Sequence, residues 1–184
     1  MGVLTRSVTI CVVAVALAFG NAWHAEAEGA SAPQLTAAFL LNFVKFTTWP
    51  EGALPADSPL TVCVLDNDRV ADELSALART TKVVGRGVAV RRVTLQSSLQ
   101  QCQVLYGGDV DNRRTGPLLD ATSGHPILTV GASSDFAERG GVANFFVDNG
   151  RMRFAVNPKA AERSHLRISS RLLSLARIVH HAGP

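Results

Sequence analysis

The chain has 184 residues, of which 47% are hydrophobic and 18% charged. That is one domain's worth of material, enough to enclose a single core and too little for a multidomain enzyme. Its 18 Lys and Arg stand against 15 Asp and Glu, a formal net charge of +3 that is too small to argue for nucleic acid.

The N-terminal stretch reads as an export signal. Arg6 supplies the positive n-region, and Val8 to Phe19 form an apolar run shorter than the roughly 20 residues of a membrane span. Ala25-Glu26-Ala27 places small residues where a signal peptidase reads, so cleavage is expected after Ala27, with a single α/β domain over 28–184. An uncleaved anchor is the alternative. No later stretch is long and apolar enough to span, and an exported, soluble protein is the expectation.

Past the cleavage site the pattern alternates between helix and strand. Leu35, Ala38, Phe39, Phe43 and Phe46 predict a helix over Gln34 to Thr47, stopped at Trp49-Pro50. Leu60 to Leu65 reads as a strand covered on both faces, and Asp68 to Ala78 as a helix with Val70, Leu74 and Leu77 on one side. Gly87 to Thr94 predicts a strand, Leu95 to Gln100 a short helical piece and Cys102 to Tyr106 a strand. Thr115 to Ala121 then predicts a short helix and Pro126 to Val130 a further strand. Strands separated by helices imply crossover connections and a largely parallel sheet with helices on both faces.

Two cysteines lie in these runs. Cys11 belongs to the signal, which leaves Cys63 and Cys102 with one pairing open to them in an oxidising compartment. Neighbouring strands could bring them within bonding range, closing a loop of about 40 residues worth roughly 4 kcal/mol in the chain-entropy model. Two buried thiols that never meet is the other reading. Nothing resembles the C-x-x-C of a redox pair.

After Gly140-Gly141, Asn149-Gly150 is the preferred centre of a type I′ turn between two β-rich runs. A two-residue loop sets Val147 opposite Met152, Phe145 opposite Phe154 and Ala143 opposite Val156, on a face expected to pack on the core, with Arg151 and Arg153 on the other. The chain then turns at Asn157-Pro158 into a short helix. A final helix is expected from Ser170 to His180, capped by Ser169 or Ser170, with Leu172, Leu175, Ala176 and Val179 in one stripe.

No catalytic constellation is marked. Gly85-Arg86-Gly87 precedes a strand and lacks the third glycine of a dinucleotide fingerprint, and Gly107-Gly108 reads as a turn. His180 and His181 adjoin and cannot face one metal from a helix, while His125 and His165 have no nucleophile elbow near them. No metal and no cofactor are expected. Asp66 and Asp68 stand at a strand end that often binds ligands in open α/β sheets, and equally suit a turn and a cap. Arg163, Arg167 and Arg171, spaced by four, would form one stripe facing an acidic partner if helical, or else a solvated face. Trp49 is either a core aromatic or an interface anchor.

Several runs together resemble the YfiR family of periplasmic proteins. They are Ala37-Ala38-Phe39-Leu40-Leu41-Asn42-Phe43-Val44-Lys45-Phe46 with Trp49-Pro50, Val62-Cys63-Val64-Leu65, Cys102-Gln103-Val104-Leu105, Ile127-Leu128-Thr129-Val130, Gly140-Gly141, Phe154-Ala155-Val156-Asn157, and Leu166 through Arg177. The resemblance implies an α/β, Rossmann-like sandwich: a helix-covered, largely parallel sheet with a C-terminal antiparallel hairpin and a final helix. It implies a non-enzymatic repressor that binds the periplasmic sensor domain of an inner-membrane GGDEF diguanylate cyclase, released by an outer-membrane lipoprotein or by redox change. It also implies that Cys63 pairs with Cys102. A homodimer is expected, and Trp49, Arg163, Arg167 and Arg171 are the candidate partner-binding residues. The chain departs from the family in lacking a second cysteine pair near the hairpin and in carrying Thr48 where an acidic residue often precedes Trp-Pro. The rival reading is a small-ligand receptor with its pocket near Asp66 and Gly107.

Overall fold

The computed structural model describes residues 30–55 and 57–180; the expected signal peptide and His181 lie outside them. Helix α1 (Ala32–Lys45) starts two residues earlier than its apolar spacing suggests, because Ser31 and Gln34 form a capping box and Pro33 is tolerated in the first turn. The Ser31 N–H donates to Gln34 Oε1 at 2.9 Å. The helix stops at Phe46, ahead of Trp49-Pro50, and the chain passes into a two-residue strand, β1 (Thr47–Thr48).

The main sheet follows from β2 (Leu60–Leu65), α2 (Asp68–Ala78), β3 (Val88–Val93), β4 (Val104–Gly108), α3 (Asn112–Thr122) and β5 (Leu128–Gly131). The hairpin strands β6 (Ala143–Asp148) and β7 (Arg151–Val156) come next, then α4 (Pro158–Arg163), β8 (Arg167–Ile168), α5 (Ser170–Leu173) and β9 (Arg177–Ile178). Spatial order is β3-β2-β4-β5-β6-β7-β9, and every pairing in that sheet is parallel except β6 with β7. From β2 the chain crosses to one side through α2, then returns and proceeds the other way through α3. Right-handed crossovers in opposite directions put the two helices on opposite faces.

Side-chain alternation divides the core accordingly. Val62, Val64, Val104, Tyr106, Leu128 and Val130 face α1 and α2, whereas Cys63, Leu65 and Leu105 face Leu118 of α3. Strands buried on both sides have no polar face, which is why β2 and β4 read as continuous apolar runs. On the α3 side Phe136, fully buried, lies between two glycines: an added Cβ would stand 2.3 Å from its ring at Gly131 and 2.2 Å at Gly141. The close approach accounts for Gly141 of the Gly140-Gly141 pair.

The hairpin has the expected register, with Ala143, Phe145 and Val147 opposite Val156, Phe154 and Met152. Asn149 and Gly150 take φ values of 48° and 71°, as a type I′ turn requires. Only part of its apolar face reaches the core. Phe145 and Phe154 pack edge-on against Phe39 and Phe43, while Val147 near the tip is 73% exposed.

Three local expectations are corrected. Leu95 to Gln100 is a set of turns, because the Ser97 N–H donates to the Thr94 carbonyl and Ser97 Oγ accepts from the Thr94 N–H, each at 3.0 Å. The helix expected from Thr115 begins at Asn112, capped by Asp111, whose Oδ1 accepts from Arg114 N at 2.9 Å; Gly116-Pro117 in its interior hides it from a propensity reading. The final helix lasts four residues from its Ser169 cap, and Arg177–Ile178 instead extends the sheet beside β7. There the Val179 N–H donates to the Val156 carbonyl at 2.9 Å, and the Arg177 guanidinium lies 4.4 Å from the Phe146 ring centroid. An open β7 edge and β-branched Ile178 and Val179 outweigh helical spacing, and Leu175 is left 69% exposed.

Candidate functional site

Two regions of the sequence expected to meet a partner are joined by a small antiparallel sheet. Thr47 pairs with Ile168 and Thr48 with Arg167, and the Ser169 N–H donates to the Phe46 carbonyl at 2.9 Å. The C-terminal end of α1 is thereby fixed to the basic segment. Trp49, Pro50 and Glu51 line a hollow of about 410 Å³ together with Glu162, His165 and Arg167. Trp49 is only 8% exposed and belongs to the main core, so it acts as a wall of this hollow and not as a projecting anchor. Its indole N–H is buried with no hydrogen-bond partner among the described residues.

The three arginines do not form a helical stripe. Arg163 ends α4, Arg167 lies in β8 and Arg171 in α5, because the chain turns at His165, whose φ is 54°. Arg167 borders the Trp49 hollow, and the Arg171 guanidinium sits 5.9 Å from the Phe46 ring centroid. Arg163 lines a separate, more polar hollow of about 400 Å³ with Arg139, Asp120 and Thr122. All three are exposed. From Lys159 to Arg177 the chain carries five Lys and Arg against one acid, Glu162. The surface around Phe46, Arg167 and Arg171 therefore offers positive charge beside apolar area, a combination suited to an acidic protein surface.

At the carboxyl ends of β2 and β4, where the crossovers diverge, the aspartates are engaged in ion pairs. Asp66 is ion-paired to Arg114, and Asp68 and Asp72 both pair with Arg92. Gly107 and Gly108 end β4; a Cβ on Gly107 would press on Leu118 at 3.0 Å, and Gly108 has a φ of 62°. Packing and turn geometry thus account for the glycine pair. His125 closes a turn on the Thr122 carbonyl at 3.2 Å, and no group of three or more His, Cys, Asp or Glu among the described residues could hold a metal ion.

Sequence reasoning passed over Tyr106, although a lone tyrosine in an apolar strand is a signal worth reading. It is 4% exposed on β4 beside the Thr36 hydroxyl. Burial raises its pKa above 10.0, the Thr36 hydrogen bond works against the rise, and Asp109 adds to it. Because the folded value lies above the unfolded one, the neutral phenol favours the fold below pH 10, and that stability is lost as the pH climbs through the folded value. Tyr106 is the one tyrosine of the chain. Ultraviolet titration of phenolate absorbance should place its midpoint above that of the urea-unfolded chain; coincident midpoints would contradict the burial.

Cys63 and Cys102 are bonded, with Cα atoms 5.7 Å apart and exposures of 0% and 2%, inside the α3-side core. Two fully buried asparagines fasten the β5–β6 connection. Asn144 Oδ1 accepts from Ala137 N at 3.3 Å, and Asn157 Nδ2 donates to the Ala137 carbonyl at 2.9 Å.

Among known folds, the chain is similar to the crystal structure of a conserved domain protein from Vibrio cholerae, at 15% identity and a TM-score of 0.53. The similarity covers 81% of this chain and 60% of that one, and it concerns the fold alone. The DUF4154 family model, described as YfiR/HmsC-like, matches residues 33–177, from the first turn of α1 to β9. The chain belongs to the YfiR/HmsC-like family.

Proposed function

We propose that this protein is a periplasmic, non-enzymatic regulator that binds the periplasmic sensor domain of an inner-membrane GGDEF diguanylate cyclase and represses it. Family membership over residues 33–177 carries the reading, since it supports a periplasmic regulator in cyclic-di-GMP signalling. The export pattern at Ala25-Glu26-Ala27 and the buried disulfide suit an oxidising compartment. A binding partner acts only through different affinities for the two states of its target, so a rigid domain shifts the cyclase toward the state it binds better. The docking surface in this reading is Phe46, Arg167 and Arg171 with the adjacent Trp49 wall, on an acidic patch of the sensor domain. A homodimer, and release by an outer-membrane lipoprotein, complete the proposal.

Deleting the gene in its host should raise cellular cyclic-di-GMP and biofilm several-fold, and wild-type protein should restore both. The Arg167→Glu/Arg171→Glu double variant, exported and folded to the same level, should fail to restore them, with affinity for the sensor domain lowered about tenfold or more. Unchanged cyclic-di-GMP on deletion beside an intact cyclase would overturn the function; full rescue by the double variant would overturn the surface.

A further inference from the structure

β3 is an edge of the main sheet, hydrogen-bonded to β2 and to no other strand. The Leu60 N–H donates to the Gly87 carbonyl at 2.9 Å and the Asp66 N–H to the Val93 carbonyl at 3.3 Å. Alternate residues of the strand, Ala89 and Arg91 among them, therefore turn their backbone groups toward β2. Those of Val88, Val90 and Arg92 point away from the sheet, where no described residue hydrogen-bonds to them.

Native sheet edges are commonly blunted by a proline, a bulge or a projecting charge. β3 has no proline, and its register with β2 is unbroken from Val88 to Val93. Its two charged side chains are drawn aside. Arg92 pairs with Asp68 and Asp72 of α2, and Arg91 Nη1 donates to Gln101 Oε1 at 3.0 Å. Val88 and Val90, half-buried, pack toward the α1 and α2 side of the core. The open edge is a template for an extended strand.

The row of outward groups selects its own occupant. Donor and acceptor alternate along it, so it is complementary to itself when a second copy lies antiparallel across a two-fold axis. With the axis at Val90, Val90 faces its own copy and Val88 faces Arg92, which satisfies every outward group. The same register sets Arg91 opposite Ala89 and no arginine opposite another. Moving the axis to Ala89 would set Arg92 opposite Arg86, and moving it to Arg91 or Arg92 would set an arginine on its own copy; like charges directly opposite destabilise a pair. Moving it to Val88 would leave Arg92 facing the Val83–Arg86 turn, outside the ladder. We propose that β3 pairs antiparallel with β3 of a second copy about Val90, joining the two main sheets into one. The proposal rests on the homodimer of the functional reading and names its surface, which shares no residue with the Phe46, Arg167 and Arg171 surface. Strand pairing covers less than the roughly 1,200 Å² of a tight interface, so the dimer is weak, with a Kd on the order of 0.1 mM.

Sedimentation of the mature, disulfide-bonded chain between about 10 µM and about 1 mM should show a monomer passing to a dimer. In nitrogen-15-labelled protein, amide exchange at Val88, Val90 and Arg92 should slow as the concentration rises, while Ala89 and Arg91, already bonded to β2, should change far less. Ala89→Glu places a carboxylate opposite Arg91 of the second copy, twice by symmetry, and should tighten the dimer about fivefold. Ala89→Lys should weaken it by a similar factor. Both substitutions burden the same half-buried position, so a folding defect would move them in one direction and the register moves them in opposite ones. Val90→Pro removes an outward donor, leaves the β2 ladder its bonds and should abolish the dimer. A monomer throughout would overturn the proposal, and a dimer indifferent to all three substitutions, or with uniform amide protection, would overturn β3 as its seam. Slowed exchange at Val88, Val90 and Arg92 only when the sensor domain is added would assign the edge to that partner and overturn the second copy. The cyclase reading is tested separately, by cellular cyclic-di-GMP.

Discussion

Replacing both cysteines, as Cys63→Ala/Cys102→Ala, is expected to lower the unfolding free energy by about 4 kcal/mol. The bridge joins residues separated by 39 positions, so without it the unfolded chain recovers the entropy of a large open loop. The native state gains nothing in exchange, because both sulfurs lie in the packed layer with Leu65, Leu105 and Leu118. Each alanine also leaves a small void there. Denaturant unfolding of the double variant against the oxidised parent measures the loss, with a fall in Tm of about 10 °C expected for a domain of this size. A loss below about 1 kcal/mol would show that the bridge contributes little to the fold. The chain has three cysteines, two of them joined in this bridge and none near the hairpin, so a redox switch built on a second internal pair is not open to it.

Phe43→Ala is expected to cost a further, comparable amount, about 3–5 kcal/mol. Phe43 is 1% exposed and meets Phe145 at 5.5 Å and Phe154 at 5.0 Å between ring centroids, both edge-on. Phe39 adds two further edge-on contacts to the same two rings, at 5.7 Å and 6.4 Å. This cluster holds α1 against the hairpin, and removing its central ring forfeits buried area and leaves a cavity that rigid strands close only partly. Phe43→Leu, which refills most of the space, should recover more than half of the loss. Chemical denaturation of the two variants compares them directly, and equal stability of Phe43→Ala and its parent would contradict the packing described.

Elements whose stabilising interactions are local were legible in advance. The Asn149-Gly150 hairpin and its register follow from a turn that needs two positive φ values, and the β2 and β4 strands from apolar runs with no polar face. The candidate partner surface was legible only as two separate pieces, the Trp49 end of α1 and the arginine-rich segment. Their contact depends on β1 pairing with β8 across some 120 residues of chain, which no local pattern encodes.

Composition, hydrophobic period and turn chemistry by themselves determined an α/β domain and its main strands and helices as far as the hairpin, though not the turns at Leu95 to Gln100 or the short strand at Thr47–Thr48. Tertiary structure alone decided the end of the chain, where an unpaired β7 edge drew Arg177–Ile178 out of a helix-like sequence. It likewise decided that Trp49 is buried and that the arginines at 163, 167 and 171 lie on three different elements. The physical reason is common to all of them. Turns and caps draw their energy from neighbours within four residues, whereas edge pairing, burial and shared cavities draw it from partners that only the folded chain brings together.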